Sequence, residues 1–185
     1  MSAGEGVGPR GAGLVSEVFP SPEGALLLAA SPWGLALCEY LDERSAEALL
    51  AEVPPRTGDG ASLGESGARD HLETARTELG AYFEARLTRF VVPLDLRAGP
   101  FELAVWQALL RIPYGRITSY GAIAAQLGLP GAARAIGRAN GRNRVAIIVP
   151  CHRVVSADGR LTGYGGGIDR KRRLLELEGA LVKTP

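Results

Sequence analysis

The chain has 185 residues, 46% hydrophobic and 22% charged, with a formal net charge of +1; this length supports one large domain or two small ones, each with a real core. No apolar run approaches a membrane span, and residues 1–13, rich in Gly and Ala, lack the basic-then-apolar pattern of a secretion signal, so a cytoplasmic location and no membrane partner are expected. The two cysteines and two histidines (Cys38, Cys151, His71 and His152) show no metal-ligand spacing, which argues against a bound metal, and a Cys38–Cys151 disulfide is disfavoured in a reducing compartment.

Residues 1–22 read as a loose tail. Residues 24–30 and 34–40 are short apolar runs separated by Ser31-Pro32-Trp33, the pattern of antiparallel strands joined by a turn. Residues 45–52 suit a short helix with Ser45 as N-cap. Residues 54–67, rich in Gly, Pro and Ser, read as a loop. A helix is predicted over 71–87, with Leu72, Ala75, Leu79, Tyr82 and Phe83 along one stripe and His71 as a surface residue near its start. Residues 90–96 are predicted as a further strand. Nothing in 1–97 carries a chemical motif, so 23–97 reads as a small α/β scaffold domain.

Arg97-Ala98-Gly99-Pro100 reads as the linker, and the charge changes sign there. Residues 1–100 hold 8 basic against 15 acidic side chains, net −7, whereas residues 101–185 hold 13 against 5, net +8. A basic half suits a polyanion such as nucleic acid, or is a solvated face. Residues 101–112 form an amphipathic helix with Phe101, Val105, Leu109 and Ile112 on one face, ended by Pro113-Tyr114-Gly115. Ser119 caps a predicted helix over 120–127, Gly128 closes it in the left-handed conformation, and a second helix runs over 131–140. Two short helices around a glycine turn are the helix-turn-helix pattern. The second offers small residues, Ala132, Ala133, Ala135, Gly137 and Ala139, with Arg134 and Arg138 as long side chains and Asn140 at its far end. That surface suits close approach to a minor groove with an arginine wedge, or tight packing between helices.

Residues 144–149 are predicted as a buried strand leading into Pro150-Cys151-His152. Pro150 stiffens the corner, and a thiolate is the strongest side-chain nucleophile. On a strand, neighbouring side chains point to opposite faces, so Cys151 and His152 cooperate only across a bent backbone or through a water. Taken alone, the pair fits a nucleophile with its base, or a buried structural cysteine beside an incidental histidine. Asp158-Gly159 signals a hairpin between 154–155 and 161–162. The glycine-rich run from Gly163 through Tyr164 to Gly167 can set backbone N–H groups against a flat ligand but lacks phosphate-loop spacing. A last helix is capped by Asp169, packs through Leu174, Leu175 and Leu177, and carries a solvated basic cluster, Arg170, Lys171, Arg172 and Arg173.

Together, Pro150-Cys151-His152-Arg153-Val154-Val155, Asn143, Ala133-Arg134-Ala135-Ile136-Gly137 and Gly163-Tyr164-Gly165-Gly166 resemble the O6-alkylguanine-DNA alkyltransferases from about residue 101 to 179. The resemblance implies a mixed α/β (α+β) fold: the N-terminal scaffold, then a mainly helical domain over 98–185, winged helix-turn-helix in type, that binds DNA and accepts the alkyl group. It implies that Cys151 irreversibly takes the alkyl group of O6-alkylguanine in double-stranded DNA, with O4-alkylthymine left open as a second substrate. The chain would act once, as a monomer, with no cofactor and no metal. His152 would take the thiol proton through a water, Glu178 would orient the imidazole, and Asn143 would brace the turn. Tyr120 would neutralise the leaving guanine. Arg134 would fill the space of the flipped nucleotide, Ala135, Gly137 and Arg138 would lie against DNA, and Tyr164, Gly165 and Val154 would line the base pocket. The chain departs from the family pattern at Gly99, Glu102, Arg144 and Gly165, and none of these positions is the nucleophile. A damage sensor without chemistry and a multiple-turnover cysteine hydrolase are the competing functions.

Overall fold

The computed structural model describes residues 13–55 and 64–181. The chain divides into two compact units, Met1–Arg97 and Ala98–Pro185.

The first unit is built on a three-stranded antiparallel sheet in the order β1 (Val15–Ser21), β2 (Gly24–Ser31), β3 (Gly34–Tyr40). Residues 15–21, assigned to the tail from sequence, therefore form a strand; the remainder of that tail up to residue 12 lies outside the described residues. Its alternating exposure is that of an edge strand, too weakly apolar to stand out before its partner is known. Central β2 is buried on both faces. Leu27 and Ala29 pack with Ala36, Leu37 and the short helix α1 (Ala46–Ala51), which contributes Leu49 and Leu50. Ser45 caps α1, accepting from the Ala48 N–H at 3.1 Å.

The long helix α2 (Gly64–Phe83) packs against all three strands. It starts seven residues earlier than its glycine- and serine-rich beginning suggests; its apolar stripe begins at buried Ala68 and continues through Leu72, Ala75, Leu79 and Tyr82. Burial of that stripe outweighs poor local propensity. His71 is accordingly mid-helix and half-buried, with Nε2 3.3 Å from the Pro32 carbonyl. The helix stops at Phe83, before the predicted residue 87, because Ala85 turns left-handed and the Arg86 N–H reaches back to the Ala81 carbonyl.

The strand predicted over 90–96 is reduced to one parallel bridge, Leu35–Leu94. Pro93 has no N–H for a ladder, and the Val91 and Val92 N–H groups donate to the Glu78 carboxylate at 3.1 Å. The bridge brings Pro93 hard against Gly34, where φ is +147° and a Cβ would lie 2.5 Å from the Pro93 carbonyl oxygen. Gly34→Ala is therefore expected to cost about 3 kcal/mol, through overpacking and backbone strain together. Thermal unfolding checks this; an unchanged melting temperature would mean that the 93–94 segment yields freely.

The second unit begins with α3 (Pro100–Leu110), in which Val105, Trp106 and Leu109 are buried. A helix pair follows, α4 (Tyr120–Gln126) and α5 (Ala133–Gly141), with Ser119 capping α4 and Gly128 left-handed at φ +72°. The helix-turn-helix expectation holds, and α5 packs on both α3 and α4. Two-residue strands β4 (Thr118–Ser119) and β5 (Val154–Val155) pair in parallel.

The strand predicted over 144–149 is absent; the segment coils into tight turns with Ile147 left-handed at φ +72°. Its Val149 N–H closes onto the Val145 carbonyl at 2.9 Å. A short apolar run does not distinguish a buried strand from a buried turn. Asp158-Gly159 does make a turn, with the Gly159 N–H on the Ser156 carbonyl, but 161–162 form no returning strand because β5 pairs with β4 instead. The last helix, α6 (Ile168–Leu177), has Gly167 and not Asp169 at its N-cap; Asp169 lies in the first turn. Among the described residues no helix is long and apolar enough to cross a membrane.

Candidate active site

Cys151, His152 and Arg153 form a single 3-10 turn directly after Pro150, between the coiled 144–149 segment and β5. Three residues per turn set successive side chains about 120° apart rather than on opposite faces, which gives the bent backbone that a Cys151–His152 pair needs. The turn is braced from below. The Asn143 side chain accepts from the Val145 N–H at 3.0 Å and donates to the Val149 carbonyl at 2.8 Å. The Cys151 N–H in turn donates to the Val149 carbonyl at 2.8 Å. Asn140, at the far end of the second helix, is buried and donates Nδ2 to the Cys151 carbonyl at 3.4 Å.

Cys151 is 5% exposed. Burial pushes its thiol above its ordinary range, against a hydrogen bond from Asn143 and the positive charge of Lys171. At rest it therefore carries its proton and needs a base.

His152, the neighbouring residue of the turn, is fully buried, with Nε2 2.8 Å from Glu178 Oε1. Burial, with the positive charges of Arg153 and Lys171 added to it, lowers the imidazole's proton affinity against the hydrogen bond and charge of Glu178. The contact is thus a hydrogen bond from a neutral ring and not an ion pair: Nε2–H donates, which leaves Nδ1 with its lone pair. Nδ1 is buried and has no hydrogen-bond partner among the described residues. Glu178 is the C-cap of α6. Burial alone would raise its carboxyl, but donors from His152 and Arg153 hold it at about 2.

The surrounding walls come from three elements. Tyr120, first residue of α4, donates its hydroxyl to the Thr162 carbonyl at 3.2 Å. The Tyr164 ring meets His152 edge-on at 6.4 Å between centroids, and Gly165 is exposed in the same loop. Val154 directs its carbonyl to Lys171, whose ammonium donates to it at 2.5 Å and to the Thr162 carbonyl at 2.7 Å. On α5, Arg134 and Arg138 are exposed, Ala135 is half-buried, and Ile136 and Ala139 face inward. Gly137 is turned towards Tyr120, with an added Cβ 3.8 Å from that ring, an ordinary contact. Cys151, His152, Glu178 and Asn143 thus meet at one point, with Tyr120, Tyr164 and Val154 around it and the two α5 arginines in solvent.

Three residues escaped the reading of the sequence. Arg153 is buried and hydrogen-bonds Glu178 through Nε and Nη2 at 2.8 and 2.9 Å and the Ile112 carbonyl through Nη1 at 2.6 Å. Lys171, assigned to a solvated basic cluster, is fully buried, and burial lowers its ammonium to about 8. Helical spacing carried the signal: Lys171, Leu174, Leu175 and Glu178 share one face of α6. Asn140 is the third; its place among Ile136 and Ala139 on the inner face of α5 was the clue.

Residues 100–180 match the model of the 6-O-methylguanine DNA methyltransferase, DNA binding domain. A methylated-DNA–protein-cysteine methyltransferase of Mycobacterium leprae is 49% identical over 164 residues, 89% of this chain and 92% of that protein. One of the same name from Mycobacterium tuberculosis is 66% identical over 101 residues, 55% of this chain and 61% of that protein, so this match spans less than two thirds of the relative's length. Among solved structures, the Mycobacterium tuberculosis O6-methylguanine methyltransferase superimposes with a TM-score of 0.75 at 45% identity, covering 93% of this chain and 96% of that one. The Mycobacterium tuberculosis OGT in complex with DNA gives a TM-score of 0.73 at 48% identity, covering 89% and 92%.

Proposed function

This chain belongs to the methylated-DNA–protein-cysteine methyltransferase family, and from that premise we propose that it repairs duplex DNA by taking the alkyl group of O6-alkylguanine onto Cys151, once per molecule. The observation that carries this reading is the buried Cys151 next to His152, whose Nε2 lies 2.8 Å from Glu178 Oε1 and whose buried Nδ1 has no partner among the described residues.

The chemistry balances without a cofactor. The thiol proton passes to His152 Nδ1 through a water. The sulfur electron pair forms the S–C bond as the C–O6 bond breaks, and that bond's electrons leave with guanine. Tyr120 moves its hydroxyl from the Thr162 carbonyl to the departing base and neutralises the charge that develops there. The thioether that remains is not reversed by water, so turnover ends.

A base within the duplex cannot reach the sulfur of a buried Cys151, so the nucleotide must swing out of its stack. Arg134, exposed on α5, would occupy the vacated space, with Ala135, Gly137 and Arg138 against the groove, a reading that its exposure supports. Tyr164, Gly165 and the Val154 carbonyl receive the base. The chain acts as a monomer, and its composition supports a cytoplasmic setting. Intact-mass spectrometry after exposure to a methylated duplex tests the reading: one added methyl group per molecule is expected, and an unchanged mass with the lesion still present would overturn it. Arg134→Ala is expected to slow repair of duplex by about tenfold or more, since flipping costs a few kcal/mol, while reaction with the free alkylated base is spared. Equal losses on both substrates would remove the wedge role.

A further inference from the structure

We propose that Arg153 is a positioning residue for alkyl transfer: by saturating the Glu178 carboxylate it keeps His152 neutral, with the proton on Nε2 and Nδ1 open to the thiol proton. The inference rests on the reading of Cys151 as alkyl acceptor and deepens it.

The carboxylate is fully engaged. Oε1 accepts from His152 Nε2 at 2.8 Å and Arg153 Nη2 at 2.9 Å; Oε2 accepts from Arg153 Nε at 2.8 Å and the Gly115 N–H at 3.3 Å. The guanidinium is itself held in place, with Nη1 on the Ile112 carbonyl at 2.6 Å and the Tyr114 ring 5.8 Å away.

The charge logic follows from this geometry. A buried carboxylate facing an imidazole alone stabilises the imidazolium, because an opposite charge favours the charged form. An imidazolium has two N–H donors and no lone pair, so it cannot accept the thiol proton. A guanidinium bonded to both carboxylate oxygens compensates the negative charge and removes that bias.

The groups facing His152 are Glu178 and Lys171 from α6, Arg153 and Cys151 from its own turn, and the Tyr164 ring from the glycine loop. Of the charged ones, Glu178 alone attracts a proton to the ring; Arg153 and Lys171 oppose it, as burial does. Lys171 cannot replace Arg153, because its ammonium is committed to the Val154 and Thr162 carbonyls.

A merely structural salt bridge would predict a loss of rate by the same factor at every pH. The proposal predicts a shift. Single-turnover methyl transfer from methylated duplex is measured from about pH 6 to about pH 9 for the unaltered chain, Arg153→Lys and Arg153→Met. For Arg153→Met the acid limb is expected to move up by about one pH unit or more, with the rate recovering in alkali, because the ring then holds a proton that it must lose before it can act. Arg153→Lys keeps the charge without the two-pronged geometry and should lie between the two. A loss independent of pH, or no loss, overturns the proposal. The unaltered chain gives a second readout that needs no variant. Nitrogen-15 NMR of the His152 ring at neutral pH should show the neutral Nε2–H tautomer; an imidazolium or an Nδ1–H tautomer overturns the proposal. If the unaltered chain never gains a methyl group, the alkyl-acceptor reading itself fails. If it does, and Arg153→Met keeps the unaltered profile, only the role of Arg153 fails.

Discussion

With Cys151 replaced by alanine, a methylated duplex is expected to keep its methyl group and the protein its mass, whereas the unaltered chain gains one methyl group and then stops. No residual transfer is expected, because the other cysteine gives no substitute. Cys38 lies on β3 of the first unit and is fully buried. His152 without the sulfur has no proton to take. The substitution removes one small buried atom, so the fold and the exposed arginines of α5 should persist and the variant should still bind duplex. Intact-mass spectrometry and the lesion remaining in the oligonucleotide are read on the same sample. An alanine variant that still gained the methyl group would show that another residue is the acceptor.

Asn143→Ala is expected to lower stability by about 1–3 kcal/mol, the usual cost of one buried backbone group left without its partner, with a second group losing one of two donors. The Val145 N–H is left unmatched, and the Val149 carbonyl keeps only the Cys151 N–H. The turn they hold is already strained: Ile147 is β-branched and left-handed at φ +72°, a conformation that costs about 1–2 kcal/mol in an L-residue. Removing the brace should let that residue relax and move Cys151 with it, because the Cys151 N–H bonds the same Val149 carbonyl. The thiol also loses the hydrogen bond that favours its ionised form. Displacement and proton affinity then act in the same direction, and transfer should slow by more than about tenfold. Chemical denaturation and single-turnover kinetics check the two effects. A loss below about 1 kcal/mol with an unchanged rate would mean that the turn holds itself.

How much was readable in advance varied with the kind of interaction. Helices with a local cap and a regular apolar stripe, such as α1 with Ser45 and α4 with Ser119, could be placed from sequence because their determinants lie within four residues. The 144–149 segment could not. Its conformation depends on one asparagine outside the apolar run, and hydrophobicity alone does not report where backbone groups find partners. The 90–96 segment failed for a similar reason, since the Glu78 carboxylate that satisfies it lies 13 residues away. At the candidate site, the adjacency of Cys151 and His152 and the resemblance carried the reading. Arg153 and Lys171 were hidden because long basic side chains are usually solvated, and only tertiary packing shows that these two are buried. Lys171 was the more recoverable, at helical spacing from Glu178.

The sheltered, protonated sulfur has a consequence for survival before use. Oxidants attack cysteines that are exposed and ionised, giving sulfenic and then irreversible higher acids. The thiol of a buried Cys151, its proton held more tightly by burial, offers neither property. Peroxide and small soluble electrophiles should find it sluggish, while under the proposed function a planar nucleobase seated beside Tyr164 would be brought to it directly. If each molecule works only once, as proposed, this reserve determines how long each copy stays competent while no lesion is present.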